Sequence, residues 1–202
     1  MATAIARHFA GNRIQWSRAI LALALVYVLF GAPPAFLEGW PGEALRLTGY
    51  ALMVAGCLWR VWCLTFIGGT KDGVLTTTGP YSIVRNPLYV GSFLGVIGFG
   101  LAVRLPLLPV VLLVMFAALY PAVVANEEKR LVELFGDTYR RYRDATPRWV
   151  PRWSLYTEPE SIPVSPKKVR QGILDAMWYL WAYAFVQLLD LLHRHGIVPV
   201  LF

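Results

Sequence analysis

The chain has 202 residues, of which 57% are hydrophobic and only 15% charged, with a mean hydropathy of +0.52. Soluble domains usually carry about a quarter charged residues, so the composition excludes a disordered chain, a disulfide scaffold and a soluble enzyme. It predicts an all-α, polytopic membrane protein. The net charge of +7 flanks apolar runs, which points to anionic membrane lipid as a partner and away from nucleic acid.

A bilayer core of about 30 Å needs roughly 20 apolar residues as helix. Residues 1–18 hold Arg7, Arg13 and Arg18 and read as a cytoplasmic amphipathic segment. The run 19–37 is long, and Pro33 and Pro34 stand where a signal peptide would carry its cleavage site, so it reads as a retained first span. A second run covers 47–67 and is interrupted by Arg60. Its cysteines, Cys57 and Cys63, have no metal-ligand spacing and read as buried hydrophobes. A third run, 88–103, is short at about 24 Å of helix, and a fourth, 105–126, follows after almost no loop. The transmembrane core is thus 19–153. Residues 154–172 read as a cytoplasmic linker, and 173–202 as a C-terminal membrane helix and tail that spans the bilayer or lies in its interface.

Lysine and arginine set the orientation. The loop 38–46 and the turn at Arg104 are poor in them, whereas 127–172 carries ten. This places the N-terminus and the heavy segments in the cytoplasm, in an inner membrane. The third and fourth spans form a hairpin, so the chain returns to the cytoplasmic face beside its starting point. Two polar clusters therefore converge there, one around Gly79-Pro80-Tyr81 and Arg85-Asn86-Pro87-Leu88-Tyr89, the other at Asn126-Glu127-Glu128. Adjacent acids at the end of a span are costly unless partnered or hydrated, and Arg85 is the natural partner.

The string Gly79-Pro80-Tyr81, then Arg85-Asn86-Pro87-Leu88-Tyr89-Val90-Gly91, then Glu127-Glu128, then Phe135-Gly136 with Tyr139 and Tyr142, resembles the isoprenylcysteine carboxyl methyltransferase family and its wider group of membrane phospholipid methyltransferases. The family pattern is Arg-His-Pro-x-Tyr followed some forty residues later by Glu-Glu. The resemblance covers roughly residues 60–153. It implies a helical membrane enzyme that binds S-adenosylmethionine at the cytoplasmic ends of its helices and takes a lipid-like acceptor from the bilayer. One departure stands out, because the family histidine is Asn86 here.

The resemblance implies cofactor contacts from Gly79, Pro80, Tyr81, Arg85, Asn86, Pro87, Tyr89, Gly91, Glu127 and Glu128, with Arg85, Glu127 and Glu128 nearest the chemistry and Arg60 toward the substrate. The side chains suit that ligand. A guanidinium grips a carboxylate bidentately, helix N-termini attract anions, carboxylates accept from ribose hydroxyls or the ammonium, and tyrosine rings pack on the sulfonium by cation–π attraction. No metal is expected.

Each residue also has a plainer reading. Arg85 serves as a positive-inside anchor, Tyr89 as a belt aromatic, and Asn86 as the N-cap before Pro87. The acidic pair serves as a solvated helix end, Arg60 snorkels, and Gly79-Pro80 makes a turn. Phe135, Tyr139 and Tyr142 bury one side of an interfacial helix. Two other functions compete with methyl transfer. One is a nicotinamide-dependent membrane reductase of sterol-reductase type, whose Gly-rich fingerprint is missing from this sequence; the other is a non-catalytic transporter or assembly protein, which needs more intramembrane charge than Arg60.

Overall fold

The computed structural model describes residues 13–67 and 73–201, with side chains from residue 19 onward. The expected segment 1–18 therefore lies largely outside the described residues. All described regular structure is helical. Helix α1, Arg13–Phe30, leads through a short 3-10 turn at Ala35–Leu37 into α2, Trp40–Ile67. The one-turn helix α3, Pro80–Ile83, precedes α4, Pro87–Ala102, and the 39-residue α5, Leu107–Ala145. Helices α6, Pro166–Ala176, and α7, Trp178–Arg194, close the chain.

Three of these segments, Trp40–Ile67, Leu107–Ala145 and the continuous Pro166–Arg194, are long and apolar enough to cross a membrane. Two shorter apolar helices, Ala19–Phe30 and Pro87–Ala102, pack among them. Leucines and valines stand exposed on the outside, with Leu23 at 70% and Leu58 at 65% exposure. That is the surface of an all-α membrane protein, where lipid and not water is the solvent.

Three boundaries differ from the sequence reading. The first helix stops at Phe30 instead of reaching residue 37, because Pro33 forces Ala32 out of the helical region and supplies no N–H. The fourth helix continues past residue 126 to Ala145, interrupted by non-helical backbone at Gly136. The stretch read as a linker to residue 172 is already helical from Pro166, a residue suited to the first helical position.

Helices α2 and α4 form the tightest pair because their facing positions are glycine. A Cβ on Gly49 would sit 2.4 Å from the backbone nitrogen of Ala102, and one on Gly56 would sit 2.7 Å from Gly91 O. Small residues at spacings of four and seven let backbones approach inside a bilayer, where no hydrophobic force separates helix from lipid. Arg60 Nη1 crosses this seam to donate to Ser92 Oγ at 2.5 Å. Helix α6 docks on the other flank of α2, where Cys57 Sγ donates to Ala176 O at 2.8 Å.

The bundle has two polar ends. At one, Arg104 in the α4–α5 turn, at φ +61°, faces Glu43 at 3.4 Å and Asp190 at 3.9 Å, while His193 Nε2 lies 2.9 Å from Leu29 O. The other end holds the segments that the sequence singles out.

Candidate active site

The segment 79–86 is folded against the strap 146–157 by a run of backbone bonds. Gly79 N donates to Thr157 O at 2.7 Å, Arg85 N to Pro147 O at 2.9 Å and Arg152 N to Ile83 O at 2.9 Å. Ser82 Oγ accepts from Thr157 N at 3.1 Å. Aromatic rings fasten the strap to α2, with Trp153 stacked on Trp62 at 6.5 Å and 8°. Gly79 has φ +60° and ψ −134°, the backbone of the first central residue of a type II′ turn, which favours glycine. The Phe66 ring lies 2.3 Å from where its Cβ would be, so Gly79 packs as well as turns.

Helix α5 reaches the same place from the opposite direction. It breaks at Gly136, whose φ of +53° and ψ of −127° again belong to a glycine conformation. Beyond the break Tyr139 is buried, and Tyr142 OH donates to Tyr81 O at 2.7 Å. The sequence reading gave these tyrosines an interfacial packing role; they instead pack onto segment 79–86. Burial first, then the neighbouring Tyr139 and Glu128, pushes the Tyr142 hydroxyl above the usual phenol range. Burial likewise raises Tyr81. Both hydroxyls therefore remain protonated donors at physiological pH.

These elements enclose a cavity of about 380 Å³, within the roughly 300–1,000 Å³ of small-molecule sites. Tyr81, Arg85, Asn86 and Glu127 line it, together with Thr76, Asn126, Arg130, Tyr142 and the apolar Ile67, Val74, Leu75, Leu131 and Phe135. The Tyr81 hydroxyl is buried and has no hydrogen-bond partner among the described residues, although buried hydroxyls normally have one.

The two acids divide. Glu127 lines the cavity, and Tyr89 OH donates to its Oε2 at 2.8 Å. Glu128 sits outside the lining, between Arg85 Nη1 at 3.2 Å and Arg148 Nη2 at 3.0 Å. The Arg85 contact is an ion pair without hydrogen-bond alignment, since Glu128 Oε1 and Arg85 Nε both lack hydrogen-bond partners. Asn86 occupies the N-cap position of α4 but its side chain caps nothing. Its Nδ2 donates instead to Arg148 O at 3.2 Å.

The other expected residues support the cavity from outside. Pro80 and Pro87 are buried, and Pro87 O accepts from Trp59 Nε1 at 2.7 Å. Gly91 packs against Trp59 and Arg60. Tyr89 lines a neighbouring apolar cleft, and Arg60, engaged with Ser92, lines neither space. Sequence reasoning missed Arg148, and it placed Asn126 and Arg130 in or beside the converging acidic cluster without giving either a cofactor contact. Arg148 carries no local signal, since it meets Glu128 only when the strap folds back. Among the described residues no group of three or more His, Cys, Asp or Glu side chains is placed to hold a metal ion.

The family model for phospholipid methyltransferase matches residues 44–138, the stretch that contains α2 from residue 44 onward, segment 79–91 and the acidic pair. The cobalt-zinc-cadmium resistance protein CzcN of Cupriavidus metallidurans is 32% identical over 194 residues, covering 93% of this chain and 86% of that protein. The chain belongs to the phospholipid methyltransferase family. The nickel-cobalt-cadmium resistance protein NccN of Alcaligenes xylosoxydans xylosoxydans is 31% identical, covering 92% of this chain and 85% of that protein. Protein-S-isoprenylcysteine O-methyltransferase of Schizosaccharomyces pombe is 38% identical over 85 residues, 40% of this chain and 34% of that protein. No solved structure matches significantly. The protein is thus an integral membrane member of a methyltransferase family, and its match stops short of Tyr139, Tyr142 and the strap.

Proposed function

We propose that the protein transfers a methyl group from S-adenosylmethionine to a lipid-like acceptor at the cytoplasmic face of the plasma membrane. The observation that carries this reading is the convergence of Arg85, Asn86 and Glu127, from two segments some forty residues apart, on one cavity of about 380 Å³. The donor set fits the cofactor. Arg85 suits its carboxylate, and Glu127 its ammonium or ribose hydroxyls. Phe135, Leu131 and Ile67 offer apolar walls to the adenine. S-Adenosylmethionine, when bound, supplies an electrophilic methyl on a sulfonium. The protein's task is then to position the reactants and keep water out.

Membrane lipids surround the site, and the basic segments beside it match an anionic cytoplasmic leaflet. The names of the full-length relatives concern resistance to cobalt, zinc, cadmium and nickel. The residues lining this cavity offer hydrogen bonds and charge to an organic ligand.

The test compares Glu127→Gln with Glu128→Gln by titration of S-adenosylhomocysteine into detergent-purified protein. Glu127→Gln should weaken binding at least tenfold while the fold persists. Glu128→Gln should act mainly on stability, because it leaves two half-buried guanidiniums facing a neutral group, a loss on the order of 3 kcal/mol. Native affinity in Glu127→Gln would overturn the cavity as the cofactor site.

A further inference from the structure

The strap 146–157 has an inner and an outer face. On the inner face, Thr157 O and Pro147 O accept from Gly79 N and Arg85 N, and Arg152 N donates to Ile83 O. Arg148 O accepts from Asn86 Nδ2. Arg85 and Asn86 line the cavity, so the order of the strap sets the order of the cavity wall. One 3-10 turn, Trp153–Leu155, is the strap's only regular structure. Contacts on its two faces must therefore hold it in place.

The outer face is apolar and uncovered. Val150 is 74% and Trp153 61% exposed, although the Trp153 ring also stacks on Trp62 and meets Trp59 edge-on at 6.0 Å. Trp59 and Trp62 lie near the end of α2, a helix long and apolar enough to cross a membrane. Tryptophans gathered at the end of such a helix sit at the level of the lipid headgroups. Trp153 belongs to that cluster, so the strap runs along the bilayer boundary.

Charge at this level is one-sided. Residues 139–170 hold eight basic side chains against three acids. Arg140 pairs with Asp137, Arg143 with Asp144 and Arg148 with Glu128. Arg141 and Arg152 are exposed and form no ion pair among the described residues. Helix α6 adds to the same end. Gly172 abuts Leu64 and Ala176 meets Cys57, so α6 starts beside the end of α2, with Lys167, Lys168 and Arg170 exposed there.

We propose that the outer face of the strap docks on an anionic bilayer surface and that this docking tightens cofactor binding. The inference rests on the reading of the cavity as the cofactor site and names its regulation. The exposed aromatic and apolar side chains enter the headgroup region, and the exposed arginines face lipid phosphates. A strap fixed from outside holds segment 79–86 in its binding arrangement. Lipid and cofactor then favour the same state, and each strengthens the other. A basic residue at an anionic surface is worth on the order of fivefold in such an equilibrium.

The test titrates S-adenosylhomocysteine into the full-length protein in nanodiscs of phosphatidylcholine, alone or with about 30% phosphatidylglycerol. Affinity should be at least fivefold higher in the anionic discs, and the gain should shrink at about 0.5 M salt, as screening requires. The double variant Arg141→Gln/Arg152→Gln should match native affinity within twofold in phosphatidylcholine and lose at least half of the gain. An environment-sensitive dye on Ser154→Cys should shift to the blue in the anionic discs. Equal affinity in the two kinds of disc, a full gain in the double variant, or a dye that does not respond would each overturn the inference and leave the methyl-transfer reading standing. So would soluble glycerol phosphate that reproduces the gain in phosphatidylcholine discs, since the arginines would then bind a free anion and not a surface. A dye shift without S-adenosylhomocysteine binding in either disc would strike the methyl-transfer reading and the regulation with it, while still reporting the docking.

Discussion

Asn86 carries the sharpest residue-level argument, because the family pattern places histidine there. Its amide donates to the Arg148 carbonyl at 3.2 Å, and the residue is 8% exposed at the cavity wall. Asn86→Ala would leave a carbonyl of the strap without its partner, a cost of about 1–3 kcal/mol for a buried group. Asn86→His can donate a ring N–H to the same oxygen. We expect the alanine variant to show a lower Tm in detergent and weaker S-adenosylhomocysteine binding, and the histidine variant to keep both near native. A histidine variant as unstable as the alanine variant would show that the bond to Arg148 O is not what position 86 supplies. Asparagine cannot take up a proton near neutral pH, so a reaction that uses no base at position 86 should also give the histidine variant no acid limb between roughly pH 6 and 7, where histidine titrates.

At the scale of elements, the break in α5 decides how the site is built. A Cβ at Gly136 would meet nothing within 4 Å, so Gly136→Ala tests backbone conformation without a clash. Alanine at φ +53° is strained by roughly 1–3 kcal/mol; otherwise the helix straightens and carries Tyr139 and Tyr142 off segment 79–86. Either way thermal stability and S-adenosylhomocysteine affinity should fall together, whereas unchanged values would mean that α5 runs straight in the working protein. This break was not legible in the sequence, where Gly136 stood only as part of the Phe135-Gly136 motif. Apolar runs long enough to span a bilayer were legible as helices, because length and hydropathy alone decide them. The meeting of Arg85 with the acidic pair followed from the hairpin of α4 and α5 and the cost of bare charge at a membrane surface. The sequence could not divide the pair, because which of Glu127 and Glu128 faces a cavity depends on helix rotation. Nor could it show Arg148, whose partner lies twenty positions away across a fold in the chain.

The whole molecule is polarised, with the cavity, strap and most arginines at one end and the Arg104–Glu43–Asp190 contacts at the other. That second end also gathers the C-terminal ends of α1 and α7. His193 meets Leu29 O, and Leu201 N donates to Phe30 O at 2.9 Å. The α6–α7 segment, Pro166–Arg194, is long and apolar enough to cross a membrane, and α6 docks on α2 near Cys57 while α7 ends beside α1, the placement a crossing requires. In the cytoplasmic reaction proposed above, the positive charge at the cavity end would face the cytoplasm. Cysteine labelling in intact cells and inverted vesicles tests the arrangement. Cys57 and Cys63 are buried, so they should contribute little background. Ser154→Cys, on the strap, should react with an impermeant maleimide only in inverted vesicles. Gly39→Cys and Gly196→Cys should react only in intact cells. If Gly196→Cys instead labels together with Ser154→Cys, the last helix does not cross. If Ser154→Cys labels from outside, the cavity opens on the face opposite to the supply of S-adenosylmethionine, and the cytoplasmic reaction proposed here cannot take place.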